Sequence, residues 1–275
     1  MLEALSLLVR RPTCQALVVV GGALLAGACD EYGGGGDPPL PVNSNAFGYG
    51  SSLAALIDPS VRGSAVTDGQ VVQVTGVRVV HIDTFDETGQ GRVGNVFLAD
   101  AWAQPGPYHA VLAFAPVYSP PSYRAIPGDV VDASGTFDEF LPPAGQPQRF
   151  LPELVRPTLV ARFDEVGGPL RPVSIPLSDL TKYETGRPWL STLVTLENVS
   201  ILELELNPTG RARIRLNAGT GLEPADLPTI TNELFDLSNS GLSFEVGQTI
   251  RRVTGMVTLF GNFSVAPRSK ADIEL

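Results

Sequence analysis

The chain has 275 residues, 29 acidic against 19 basic side chains, a net charge of −10 and 43% hydrophobic residues. That charge weighs against a protein held to duplex nucleic acid by phosphate neutralisation, and against a polybasic grip on anionic lipid. The length suits one large or two small domains with real cores. The first element in chain order is an apolar run over residues 16–28, preceded by Arg10 and Arg11 and closed by Ala26, Gly27 and Ala28. A positive start, a short apolar centre and a small-residue exit read as a secretory signal peptide over residues 1–28. The run is too short to cross about 30 Å of hydrocarbon, which takes roughly 20 residues.

Cys29 follows directly on Leu25-Ala26-Gly27-Ala28. This junction resembles a bacterial lipoprotein signal with its lipobox. The resemblance implies cleavage before Cys29, acylation of its thiol with a palmitate-type chain, and a lipid-anchored address in the bacterial cell envelope, periplasmic or on the outer surface. The commonest pattern has Leu three residues before the Cys; here Ala26 holds that place and Leu25 sits one further back. The competing reading is an ordinary signal cut near Ala28 with a leftover thiol. The other cysteine, Cys14, lies inside the signal, so Cys29 has no internal disulfide partner, and acylation accounts for an otherwise exposed thiol.

Residues 29–57 read as the lipidated Cys and a disordered tether. Gly33 to Gly36 and Pro38-Pro39 sit among Asn, Ser and Asp. A flexible coil of that length has an r.m.s. span of about 30 Å. From residue 58 the pattern turns to β. Residues 71–80 are long and β-branched, residues 95–100 and 109–114 are shorter apolar runs, and Gly and Pro punctuate the gaps. No 3.6-residue apolar stripe of helical length appears, which indicates an all-β sandwich or barrel.

A faint repeat joins the two halves. Residues 127–137 and 246–257 each start at Gly-Asp or Gly-Gln, run as a strand and reach a second glycine, Gly135 or Gly255. Each is followed by a strand carrying or meeting a proline, Pro152 or Pro267. A period of about 120 residues is domain size. We read one β-domain over residues 58–166, a linker with a short helical turn over 167–189, and a second β-domain over 190–275. Gly76, Gly135 and Gly255 fall where a small barrel needs a bulge or sharp coil. An immunoglobulin-like sandwich fits five clear strands per copy less well.

Several segments carry a second resemblance: Gly69-Gln70-Val71-Val72-Gln73-Val74-Thr75-Gly76-Val77, Val96-Phe97-Leu98-Ala99-Asp100, Gly128-Asp129, Leu193-Val194-Thr195-Leu196-Glu197-Asn198-Val199, and the closing Pro267-Arg268-Ser269-Lys270-Ala271-Asp272-Ile273. They resemble the OB-fold-like domains of secreted bacterial proteins that accompany endonuclease/exonuclease/phosphatase domains. The resemblance covers most of residues 66–275. It implies two tandem five-stranded OB-like Greek-key barrels. The nuclease domain itself has no counterpart in the sequence, so its activity does not carry over.

Chemistry-bearing groups are sparse. His81 and His109 are the only histidines, short of the three or four ligands of a zinc site. Asp83, Asp86 and Glu87 could hold Ca²⁺ loosely, but they miss the EF-hand spacing and read better as a solvated hairpin tip. No Gly-x-Ser-x-Gly elbow, Walker loop or dinucleotide fingerprint is present. We therefore expect no metal, no cofactor and no catalysis. Arg211, Arg213 and Arg215 alternate opposite Glu203 and Glu205, as in an exposed sheet held by cross-strand charge pairs.

The one suggestive group is Trp102, Tyr108, Tyr118, Tyr123 and Arg124, in or beside the second and third strands of the first domain. OB folds bind oligonucleotides and oligosaccharides on that face. Aromatics there stack on bases or sugars; the alternative is that they cap the core. The expected function is a non-catalytic, lipid-anchored binding or scaffold module for a glycan or protein ligand. The alternatives are a nucleic-acid-binding accessory to an extracellular nuclease, which the acidic charge disfavours, and an uncharacterised hydrolase.

Overall fold

The computed structural model describes residues 46–47, 53–101, 103–142, 148–166, 171–205, 212–219, 221–223 and 226–275. The expected signal, Cys29 and the Gly-rich run lie outside the described residues. The protein is mostly β, in two multi-stranded sheets. The first holds β1 (Ala46–Phe47), β2 (Val71–Ile82), β3 (Val96–Asp100), β4 (Ala110–Phe114), β5 (Val117–Ser119), β6 (Asp129–Phe140) and β7 (Leu151–Val166). The second holds β8 (Val173–Ser174), β9 (Leu193–Glu205), β10 (Arg213–Leu216), β11 (Thr229–Thr231), β12 (Thr249–Phe260), β13 (Asn262–Ala266) and β14 (Ile273–Glu274). Among the described residues no strand of one sheet pairs with a strand of the other.

Each sheet contains a ring of pairings. In the first it runs β2–β3–β4–β7–β6 and returns to β2, antiparallel except for the β4–β7 contact. In the second it runs β9–β10–β11–β13–β12 and returns to β9, antiparallel except for β11–β13. The order and the single parallel contact are the same in both.

The repeat glycines serve this closure in two ways. Gly76 adopts φ 64°, where L side chains are strained. It sits at a bulge in the β2–β6 ladder, between Val74 and Val77. Its N–H donates to the Asp132 carboxylate at 2.8 Å, and Arg162 donates to the same oxygen at 2.8 Å. Gly135 and Gly255 instead make room. A Cβ on Gly135 would lie 2.8 Å from the Pro157 Cα, and one on Gly255 would lie 2.5 Å from the Ala266 carbonyl oxygen. Each glycine opposes a residue of the first strand in register, Val72 and Val194; towards the last strand, Gly135 lies at a register shift in the β6–β7 ladder and Gly255 lies just past the terminal Met256–Ala266 pair.

The folded body begins earlier than residue 58. Helix α1 (Ala54–Ile57) is followed by α2 (Pro59–Arg62). Leu53, Leu56 and Ile57 are buried in the first core with Val72, Val74, Val77, Leu98, Phe137 and Leu159. The i, i+3, i+4 spacing puts these three side chains on one face, but one helical turn is too short to stand out as a periodic stripe. The end of the expected tether is therefore part of the folded unit.

The segment between the sheets is more than a connector. It carries β8, a 3-10 turn (Leu177–Thr181), α3 (Tyr183–Gly186) and a second 3-10 turn (Arg187–Trp189). Among the described residues no helix exceeds five residues. The Tyr183 ring stacks on Phe263 of the second core, with centroids 6.2 Å apart. Its hydroxyl donates to the Phe150 carbonyl at 2.9 Å and accepts from the Phe150 N–H at 3.0 Å. The buried Arg187 guanidinium donates to both carboxylate oxygens of Glu139 on β6, at 2.7 and 3.1 Å. Arg62 donates to the same carboxylate at 2.8 Å and lies over the Phe137 ring. Burial raises the Glu139 pKa, but Arg187 and Arg62 outweigh it and hold the group below its ordinary value.

The two sheets also meet directly. Val80 and Phe97 of the first form a third apolar cluster with Leu193, Leu234, Met256 and Ala266 of the second, and Ala99 and Leu112 pack against it. Residues 39–275 accordingly form one compact unit.

Arg187 is the polar centre of that junction. Removing it takes away a bidentate partner from a half-buried carboxylate, a change that costs roughly 2–4 kcal/mol. We expect Arg187→Ala to lower the unfolding free energy obtained from urea titration by that amount and to speed proteolytic cleavage within residues 171–192. Unchanged stability and cleavage would show that the apolar cluster alone holds the sheets together.

Candidate functional site

The five residues expected to form a binding face are Trp102, Tyr108, Tyr118, Tyr123 and Arg124. Trp102 is outside the described residues. Tyr108 has φ 61° and its N–H donates to the Pro188 carbonyl at 2.6 Å, which ties it to the segment between the sheets. Its ring is half-buried against the first core, and burial raises its hydroxyl pKa.

The other three do come together. Tyr118 lies on β5, which pairs in parallel with β7. Its ring meets Tyr123 edge-on at 5.8 Å, and Tyr123 meets Phe163 of β7 edge-on at 5.9 Å. Tyr123 is 8% exposed and donates from its hydroxyl to Asp129 at 2.7 Å. Burial, then that hydrogen bond, pushes its pKa well above the ordinary tyrosine range. Tyr123 is thus a core residue that supports its neighbours. Arg124 is exposed, and its guanidinium donates to the Pro121 and Tyr123 carbonyls at 2.7 and 2.8 Å, which fixes the loop.

Phe163 was not singled out by the sequence, yet it is 75% exposed. The β6–β7 ladder shifts register between the Val131–Ala161 and Asp129–Val166 pairs, so Phe163 lies in an irregular stretch of β7 and does not keep the alternation of Leu159 and Ala161. Val117, Ile126 and Val160 are also exposed nearby in the chain, and the β5–β7 register places Val117 and Val160 on the same side of the sheet. That side is opposite the one that carries Tyr118 and Leu159; the edge strand β5 and the exposed Phe163 ring are each the kind of feature that partners cover.

The β3–β4 outer face, where the sequence reading looked for a ligand, is covered. Phe97, Ala99 and Leu112 point from it into the cluster shared with the second sheet. The sequence could not show this, because the covering residues, Leu193, Leu234, Met256 and Ala266, lie in the second half of the chain.

The remaining constellations have local explanations. Asp86 accepts from the N–H groups of Gln90 and Gly91 at 3.1 and 2.5 Å and from the Thr88 hydroxyl at 3.3 Å, so both its oxygens serve the turn. Asp83 is buried and accepts from Phe85 N–H at 3.2 Å; burial lifts its pKa to about 6. No cluster of three or more metal-ligating side chains occurs among the described residues. Arg213 faces Glu205 and Arg215 faces Glu203 across the β9–β10 ladder, and Arg215 and Glu203 form an ion pair. Arg211 lies outside the described residues. No helix among the described residues is long and apolar enough to cross a membrane.

Two buried groups titrate in opposite senses. Glu153 on β7 is buried, and burial, then the charge of Asp138, raises its pKa to about 7. His81 on β2 is lowered to about 4 by burial, then by Arg268. A comparison with protein-family models found no match, and no curated protein matches the chain.

These shifts set a pH dependence. The folded state keeps the Glu153 proton that the unfolded chain has already lost, so this contribution is complete below about pH 4.5 and disappears as pH rises through about 7. His81 acts in the opposite sense: its contribution is present above about pH 6.5 and is lost as pH falls through about 4. We expect Glu153→Gln to flatten the fall in stability between pH 5 and 8 and to gain roughly 1–2 kcal/mol at pH 8, after allowance for solvent screening. Urea unfolding at the two pH values reads this directly; an unaltered slope would assign the dependence to Asp83 or another group.

Proposed function

We propose that this chain is a non-catalytic, lipid-anchored protein of the bacterial cell envelope, in which two OB-like Greek-key barrels act as one binding or scaffold module for a glycan or protein ligand. The observation that carries the reading is the repeated ring of five paired strands, with the same order and the same parallel contact in each half. A small Greek-key barrel of the OB type requires five strands closed in this way. The binding surface is the exposed Phe163 ring with Tyr118 and Arg124, and not the β3–β4 face. Phe163 offers a ring for stacking. The acidic net charge supports stacking and packing over phosphate neutralisation.

The anchor and the surface are tested separately. Cys29→Ser should abolish incorporation of labelled palmitate and leave an uncleaved or soluble product; unchanged labelling would refute the lipid anchor. For the surface, a glycan array and a crosslinking screen on the envelope of the source cell supply the ligand. Phe163→Ala is expected to weaken capture at least tenfold while leaving the unfolding midpoint nearly unchanged, because the ring is already exposed. Capture that is indifferent to Phe163 would remove this surface from consideration.

A further inference from the structure

The outer side of the first sheet carries a titratable group into the junction with the second. Glu153 of β7 pairs in register with Leu112 of β4 and with Asp138 of β6, and residues paired in this way project to the same side of a sheet. Leu112 pairs in turn with Phe97, and both belong to the apolar cluster shared with the second sheet. Leu151, on the same side of β7 two residues earlier, packs against the second core. The residues just before it are held from beyond the first sheet, Arg149 by Asp226 and Phe150 by the Tyr183 hydroxyl. Glu153 itself is 5% exposed. A carboxyl group therefore lies where the two sheets touch, beside Leu112 and Leu151.

Its surroundings favour the protonated form. Asp138, directly across the ladder, hydrogen-bonds Asp68 and places acidic charge beside it. Glu139, the next residue of β6, is taken up by Arg187 and Arg62. β4 offers the apolar Leu112, and the second sheet brings Leu193, Leu234, Met256 and Ala266 to the cluster, none of them charged. His81, paired with Phe97, stays neutral above about pH 4 through burial and then the charge of Arg268. Burial, then Asp138, accordingly raises the Glu153 pKa to about 7. The closed contact also has a cost of its own. Thr258 and Thr231 lie on the same side of the second sheet as Met256, and their buried hydroxyls have no partner among the described residues. Water restores those hydrogen bonds once the sheets part.

We propose that the junction is a pH-controlled latch, closed while Glu153 carries its proton and opening locally, with both rings of strands intact, when that proton leaves. A carboxylate held away from water without a counter-charge is unfavourable, and Asp138 repels it. In the open form Glu153 is hydrated and titrates near its ordinary 4.5. The open form therefore gains steadily as pH rises above about 4.5 and levels off above about 7. Opening presents Phe97, Leu112, Met256 and Ala266, an apolar surface that the closed protein hides. The inference uses neither the lipid anchor nor the Phe163 surface.

Met256 reports the opening. It is fully buried in the cluster and is one of two methionines in the chain, the other being Met1. Hydrogen peroxide transfers one oxygen atom to an accessible thioether, giving the sulfoxide and water. The full chain is treated with peroxide across the range from about pH 5 to about pH 8, and Met256 sulfoxide is followed by mass spectrometry relative to free methionine at each pH. We expect the rate to rise at least about tenfold over that range, with a weaker urea dependence than global unfolding because local opening exposes less surface. Glu153→Gln, an isostere of the protonated group, should hold the rate at its low-pH value throughout. If that variant fails to fold, Asp138→Asn decides: removing the neighbouring charge should move the rise to lower pH. A pH-independent rate, a rise that persists in Glu153→Gln, an unmoved midpoint in Asp138→Asn, or a rate with the full urea dependence of unfolding would each overturn the proposal.

Discussion

The fold depends on how closely the fourth and fifth strands of each ring can approach. Closing five strands on themselves forces the last of them across the middle of its neighbour. At that crossing the first ring has Gly135 against Pro157, and the second has Gly255 against Ala266. The ladders place these glycines identically: Val72 opposes Gly135, and Val194 opposes Gly255. A methyl group at either point would meet backbone, which cannot swing aside as a side chain can. The first strand must also bend, because its early part pairs with the fourth strand and its late part with the second. Gly76 supplies the bend with φ 64°, and Asn198, five residues into β9 as Gly76 is into β2, supplies φ 52°. Asn tolerates the left-handed region better than other L residues.

Once both rings are closed, the way they are joined decides what surface remains. The β3–β4 face is spent on the contact with Leu193, Leu234, Met256 and Ala266. The segment 171–192 is folded into the junction through Tyr183 and Arg187, and Gly186 lies so close to Phe263 that a Cβ there would sit 2.5 Å from the ring. Among the described residues this leaves the exposed Phe163 ring, where the β6–β7 ladder shifts register, and a narrow polar cleft at the rim of the junction.

The strand pattern was legible because period-two burial and turn residues are local signals. The runs at residues 71–80, 95–100 and 109–114 correspond to β2, β3 and β4, and the two repeat segments correspond to β6 and β12. The closing segment quoted for its resemblance has a physical role: Arg268 donates to both oxygens of Asp272, at 3.0 and 2.9 Å, which turns the chain into β14. Long-range consequences were not legible. Glu139 and Arg187 are 48 positions apart, and neither stands out among charged neighbours. Phe163 continues the alternation of Leu159 and Ala161 in the sequence, but a register shift in the β6–β7 ladder breaks that alternation, and the ring is exposed. Tyr123 was read as a ligand contact because it stands beside the strands that OB folds use for binding; its burial and its hydrogen bond to Asp129 give it a supporting role.

The two halves share a topology but not a docking surface, and this bears on assembly. A contact between unlike faces of two similar units is heterologous, and if both units carried both faces it would propagate into a filament. Counting from Gly135 and Gly255, the position of Glu139 is occupied in the second half by Leu259, which is buried. The second half therefore has no carboxylate there to receive another Arg187.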